Sequence, residues 1–248
     1  SEYAFAAIDM LGHLMPLVPL MDALGGRGHT LTLFAPDDPK YAKCLADFGL
    51  TSVRLVPVRF PAGGPKAAMQ HHGIRGALAR GGPLAICSAP LFDAIARHYS
   101  SGARPAALIA DFFATAAMDA ADALSVPVVV VYPNPLGVFT YLLAPPLRGI
   151  RQRSLAALAN VGEGALRCTL RWLRNKERRT HSLPPLPVQD LYPCRKTART
   201  TLVTVAIGFE YPHEHSPLVH FIGPSAPPVA PPLAPALAEW LAARPGHV

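Results

Sequence analysis

Gly12-His13-Leu14-Met15-Pro16 puts a titratable ring at a turn, the kind of place where proton transfer is done. The apolar run Glu2 to Ile8 precedes it and is short and abrupt, as a buried parallel strand is. An amphipathic run follows, with Leu17, Leu20, Met21 and Leu24 at helical spacing and Gly25-Gly26 closing it. Pro16 suits a first helical turn, where its φ is already right and its missing N–H would be unpaired anyway. His13 is therefore expected at the carboxyl end of a strand and beside a helix amino end, the edge where open α/β sheets bind ligands. The positive helix end disfavours imidazolium, and a neutral imidazole can take a proton from a hydroxyl group. A histidine that only caps a turn is the plainer reading, so a second signal is needed.

Asp111 supplies one. Ala106 to Ala110 reads as a strand, Ala114 to Leu124 as a helix and Val126 to Val131 as another strand. Asp111 then lies on the same sheet edge as His13. It can serve as N-cap of the helix that follows, which Asp does well, and still face the imidazole. Pro133 to Gly137 is a rigid loop on that edge, and Phe139, Tyr141, Leu142 and Leu143 after it suit a pocket mouth.

The elements that must position these residues alternate. Thr30 to Ala35 and Ser52 to Val58 read as strands, with a helix from Pro39 to Phe48 between them that stops at Gly49 as C′ residue. The β-α-β-α-β rhythm, with connections too long for hairpins, predicts an α/β fold with a parallel sheet flanked by helices. Pro61 to Pro83 reads as a surface loop with a short helix, and Leu84 to Tyr99 as helix. A basic helical region ends near Thr180, a proline-rich loop spans Leu183 to Pro193, and strands are expected at Thr201 to Ile207 and Leu218 to Ile222. Ser225 to Pro235 is uncharged and rich in Pro and Ala, a stiff linker, and Leu237, Trp240 and Leu241 begin a short helix beyond it.

Composition narrows the classes. The 248 residues, 50% of them hydrophobic, suffice for one large core. No apolar run approaches the ~20 residues of a membrane span, and no charged stretch precedes an apolar leader, so a cytoplasmic protein is expected. Cys44, Cys87, Cys168 and Cys194 form no CxxC pair and read as reduced structural thiols. His71, His72, His213 and His215 lack companions at ligand spacing, and no metal site is expected. Between Arg148 and Arg179 nine basic and two acidic residues give +7, the whole net charge of the chain. Arg167, Arg171, Arg174 and Arg178 form one stripe of a helix beside Leu166, Leu170 and Leu173. Such a stripe is either a solvated face or a contact for anionic lipid headgroups at the membrane periphery. Aromatics are not interleaved with it, which argues against nucleic acid.

Three stretches together carry a resemblance. Gly12 to Pro36 (GHLMPLVPLMDALGGRGHTLTLFAP) resembles the opening of family 1 UDP-glycosyltransferases. Ala110 to Pro133 (ADFFATAAMDAADALSVPVVVVYP) resembles their central block, and Gly208 to Pro224 (GFEYPHEHSPLVHFIGP) the end of their N-terminal domain. The three occur in the expected order with appropriate spacing and reach over nearly the whole chain.

The resemblance implies the Rossmann-like N-terminal, acceptor-binding half of a two-domain GT-B fold over residues 1–222. Residues 223–248 would be the linker and the start of a C-terminal donor-binding domain. His13 would be the general base, and Asp111 the partner that orients the ring and stabilises the imidazolium. Gly12, Phe112, Asn134, Phe139 and Tyr141 would bind substrate, with Asn134 nearest the donor sugar. A UDP-sugar would be the co-substrate, with no cofactor or metal. The acceptor would be a hydroxylated, largely apolar small molecule or lipid, and configuration at the sugar would invert. The donor motif lies in the other domain, and this chain has neither GxGxxG nor GxxxxGK[ST] to cradle a diphosphate. The chain is therefore expected to work with a donor domain in cis or in trans and to be nearly inactive alone. The alternatives are a non-catalytic acceptor-binding or scaffold subunit, a degenerate relative, or another GT-B activity such as a sugar-nucleotide epimerase.

Overall fold

A computed structural model describes residues 1–60, 89–133, 171–172, 174–186, 198–204, 217–223 and 235–243. Its strands are β1 (Glu2–Ala6), β2 (Thr30–Pro36), β3 (Arg54–Val58), β4 (Ala107–Asp111), β5 (Val128–Tyr132), β6 (Ala198–Val203) and β7 (Val219–Phe221). They form one sheet in the order β3-β2-β1-β4-β5-β6-β7, and every neighbouring pair is parallel. The chain winds outward from β1 to β3, returns to the centre at β4, and winds outward the other way. Between β1 and β4 the order reverses, and in open α/β sheets the crevice at that reversal is the ligand site.

The strands are apolar almost throughout because both faces are covered. Successive side chains alternate between two cores. Ala4, Ala6, Phe34, Leu108, Ala110, Val128 and Val130 pack under α4 (Ala89–His98) and α5 (Thr115–Leu124). Phe5, Ala7, Leu31, Leu33, Ala35, Ile109 and Val131 pack on the opposite face under α2 (Val18–Gly25) and α3 (Pro39–Asp47). Phe5 and Leu33 are wholly buried, and each such side chain contributes roughly 1.5–3 kcal/mol of transfer free energy.

The expected elements that fall on described residues are present, with shifted ends, whereas the basic helical region before Arg171 and the proline-rich loop beyond Leu186 lie outside them. Asp111 is the last residue of β4 rather than the first after it, and β1 stops two residues early, at Ala6. The helix after β1 starts sooner than its apolar spacing predicts. Leu11–Leu14 forms a helical turn, α1, which passes through a 3-10 turn at Met15–Leu17 into α2. Pro16 has no N–H to give the Gly12 carbonyl, so the α ladder is interrupted there and the tighter turn bridges the gap. Gly12 is a poor helix former, which hid the turn.

Helix α3 begins and ends as its sequence dictates. Asp38 caps it by accepting from the Lys40 N–H at 2.9 Å, with Pro39 next to it. At the other end Gly49 has φ +70°, its N–H bonds to the Ala46 carbonyl, and the Leu50 N–H bonds to the Leu45 carbonyl. That double closure needs a left-handed residue, so the glycine is required. The Pro61–Pro83 loop lies outside the described residues, as does most of the Ser225–Pro235 linker. A short helix, α6 (Pro235–Ala242), is present where one is expected and leaves Trp240 exposed. No described helix is long and apolar enough to cross a membrane. Cys44 is buried and unbridged, and burial pushes its thiol up.

Candidate active site

The loop leaving β1 is tied down before it reaches His13. Tyr41 of α3 donates its hydroxyl to the Ile8 carbonyl at 3.2 Å, and Lys40 reaches Asp9 Oδ1 at 3.2 Å. The His13 N–H then bonds to the Met10 carbonyl at 2.9 Å, closing the turn. His13 is thus the third residue of α1 and not a residue ahead of a helix, which changes the expected electrostatics. A full charge beside the ring outweighs the partial charge of a helix end, and the ring has such a neighbour.

That neighbour is Asp111. His13 Nδ1 lies 3.0 Å from Asp111 Oδ2, across the boundary where the sheet order reverses. The other carboxylate oxygen, Oδ1, accepts from the Phe113 backbone N–H at 2.9 Å, and the Ala114 N–H bonds to the Asp111 carbonyl at 2.8 Å. Asp111 therefore holds a turn at the strand end and is not the N-cap of α5, whose cap position is Ala114. The carboxylate is 1% exposed, and its burial pushes its pKa up, opposed by His13 and by the N–H groups of Phe113 and Phe112. A carboxylate so poorly hydrated gains most when a positive charge forms beside it.

An ionised Asp111 can only accept, so the shared hydrogen then belongs to Nδ1, and in the neutral form of the ring the lone pair is on Nε2. The side chain of His13 is 14% exposed, so the ring is held in protein yet reachable from outside. Its ring centroid lies 5.8 Å from that of Phe112 and 5.2 Å from that of Phe113. An oriented ring with a buried counter-charge is an arrangement that can accept a proton.

The remaining expected site residues divide. Gly12 is exposed, and a Cβ placed there would meet nothing within 4 Å, so the backbone beside His13 faces open space. Phe112 is buried, packing on Tyr132 (centroids 4.6 Å apart) and on His13, so it backs the ring from within the core. Asn134, Phe139 and Tyr141 lie outside the described residues. Phe113 escaped the sequence reading although its main chain and its ring touch both members of the pair. Its signal was the doubled aromatic directly after the aspartate.

Both readings of the arginine stripe miss where two of its members go. Arg174 donates to Asp119 Oδ1 at 2.9 Å, and Arg178 bonds the same oxygen and Asp122 Oδ2, the latter at 3.0 Å. Arg178 also donates to the Pro184 carbonyl, and Arg171 to the Leu186 carbonyl. Arg178 and Asp119 are buried, so this part of the stripe is neither a solvated face nor free for lipid headgroups. Arg167 lies outside the described residues.

No protein-family model matches the chain, and no curated protein matches it. Solved structures do. The glycotransferase of kitacinnamycin superposes with a TM-score of 0.58 at 19% identity, over 90% of this chain and 51% of that one. Glycosyltransferase VinC, solved with DTDP, gives 0.58 at 17% identity over 88% and 52%. CalG4, the calicheamicin glycosyltransferase, gives 0.54 at 15% identity over 90% and 52%. The chain spans about half the length of these structures. It has a Rossmann-like α/β fold, similar to that of about half of each of these glycosyltransferase structures.

Proposed function

We propose that this chain is the acceptor-binding half of an inverting, nucleotide-sugar-dependent glycosyltransferase, with His13 as general base and Asp111 as its partner. The observation that carries the reading is the 3.0 Å pairing of His13 Nδ1 with a buried carboxylate at the point where the sheet reverses. Nε2 takes the proton of an acceptor hydroxyl as the hydroxyl oxygen attacks the anomeric carbon. The bond from that carbon to the diphosphate breaks on the opposite face, and UDP leaves with the bonding electrons. The new O–C bond inverts configuration, and the imidazolium formed is held by Asp111. Acceptors are hydroxylated, largely apolar small molecules or lipids, since the rings around His13 are aromatic. Donor binding belongs to a second domain in cis or in trans, and no metal takes part.

The pair argues against a degenerate scaffold, because a pocket without chemistry has no need of a partly exposed, titratable ring bonded to a buried carboxylate. This chain alone, given UDP-sugar and phenolic or sterol acceptors, is expected to turn over negligibly. A base without a positioned donor lacks the proximity effect, worth ~7–11 kcal/mol. Supplying the donor-binding half is expected to restore transfer. Transfer at the rate of an intact enzyme by this chain alone would overturn the reading, and so would wild-type transfer by His13→Ala in the completed enzyme.

A further inference from the structure

We propose that Phe113 is a positioning residue that fixes both halves of the proton-accepting pair: its main chain locks the Asp111 carboxylate and its ring fixes the plane of the His13 imidazole. The inference rests on the general-base reading of His13 and extends it. Two separate contacts of one residue carry it. The backbone N–H of Phe113 bonds to Asp111 Oδ1 at 2.9 Å, leaving Oδ2 to face His13 at 3.0 Å. The Phe113 ring lies 5.2 Å from the imidazole centroid at 49° and packs against Phe112, 3.9 Å away.

Neither contact is enough alone. A carboxylate with one free rotation offers either oxygen to the histidine, and the N–H of Phe113 removes that freedom. An imidazole bonded only through Nδ1 can still swing about that bond, and the aromatic ring beside it removes that freedom too. Phe112 is a poor candidate for the same role. Its ring lies farther from the imidazole, at 5.8 Å, and is buried in the core against Tyr132, whereas Phe113 is only partly buried and its ring can be cut back with less damage. Replacing the Phe113 side chain leaves its N–H in place, so a side-chain variant isolates the ring.

The test uses this chain labelled with ¹⁵N at histidine and reads the His13 ring nitrogens by long-range ¹H–¹⁵N correlation near neutral pH. In the wild type, one fixed tautomer with the hydrogen on Nδ1 is expected. In Asp111→Ala, which leaves no acceptor for Nδ1–H, that pattern is expected to be lost. In Phe113→Ala, with Asp111 intact, the two nitrogens are expected to move toward an averaged pattern, and Phe113→Tyr, which keeps a ring, is expected to restore the wild-type one. If Phe113→Ala does not fold, as judged from its amide spectrum, Phe113→Val is read in its place. An unchanged fixed tautomer in the folded alanine or valine variant overturns the positioning role and leaves the general-base reading standing. A wild-type ring without hydrogen on Nδ1, or one indifferent to Asp111→Ala, overturns both.

Discussion

Two buried carboxylates, eight residues apart in sequence, meet opposite fates. Asp111, at the end of β4, faces one imidazole and one backbone N–H. Asp119, in the middle of α5, is clasped by the guanidinium groups of Arg174 and Arg178. The second arrangement is a staple: both cations are permanently charged, and the segment carrying them is drawn onto α5. Further contacts complete it, with the Leu186 N–H bonding to Asn175 at 2.7 Å and His181 stacking on Phe92 at 3.6 Å. The first arrangement stays incomplete. Its partner is a titratable ring, so under the proposed general-base role the positive charge beside Asp111 forms in the reaction itself. Burial of a charge thus tells little by itself, and the titratability of its partner separates chemistry from scaffolding.

The comparison breaks most readily at Asp119. Asp119→Ala takes the carboxylate from Arg174 and leaves Arg178 with Asp122 alone, and should cost up to ~3–5 kcal/mol, read as a fall in the urea midpoint. An unchanged midpoint would show that the staple holds nothing. His13→Ala should do the reverse. In the completed enzyme transfer should drop by about 10²–10⁴ with acceptor binding retained, while stability changes by no more than about 1 kcal/mol. Asp111→Asn should lower transfer less than His13→Ala, because the amide can still orient the ring, and steady-state rates of the two variants side by side decide it.

The smallest effect concerns Glu177, beside the staple. Burial pushes its carboxyl up to about 7, with Asp119 acting in the same direction and Arg174 opposing. A folded value above the ordinary 4.5 means that ionisation costs stability above about 7, and that the cost is relieved as pH falls from about 7 toward 4.5. Urea midpoints of the wild type should therefore rise between about pH 8 and about pH 5.5 relative to those of Glu177→Gln. Parallel pH profiles for the two proteins would refute this.

The sheet was legible because its strands are short apolar runs with glycine, proline and polar residues between them. The pairing of His13 with Asp111 was legible for a related reason: each follows or ends a strand, and parallel strands carry their carboxyl ends to one edge. The turn at Leu11–Leu14 was not, since four residues containing a glycine give no periodicity to detect. The staple was misread because a helical wheel places charge at the surface by default. Its signal was present in two distant places: Asp119 and Asp122 are three residues apart in an otherwise alanine-rich helix, and Arg174 and Arg178 are four apart. Neither spacing says that the two helices meet. Phe113 was passed over because an aromatic after a functional residue is ordinarily core.

The reversal of winding at the centre of the sheet also governs when the site can come into being. β1 and β4 are neighbours although about a hundred residues separate them, and the first three strands can pair among themselves without β4. The imidazole follows β1 and the carboxylate ends β4, so the bond between them can form only once the two halves of the sheet meet. Formation of the bond between them is therefore a clock for the closing of the longest loop, and a His13 resonance would time it.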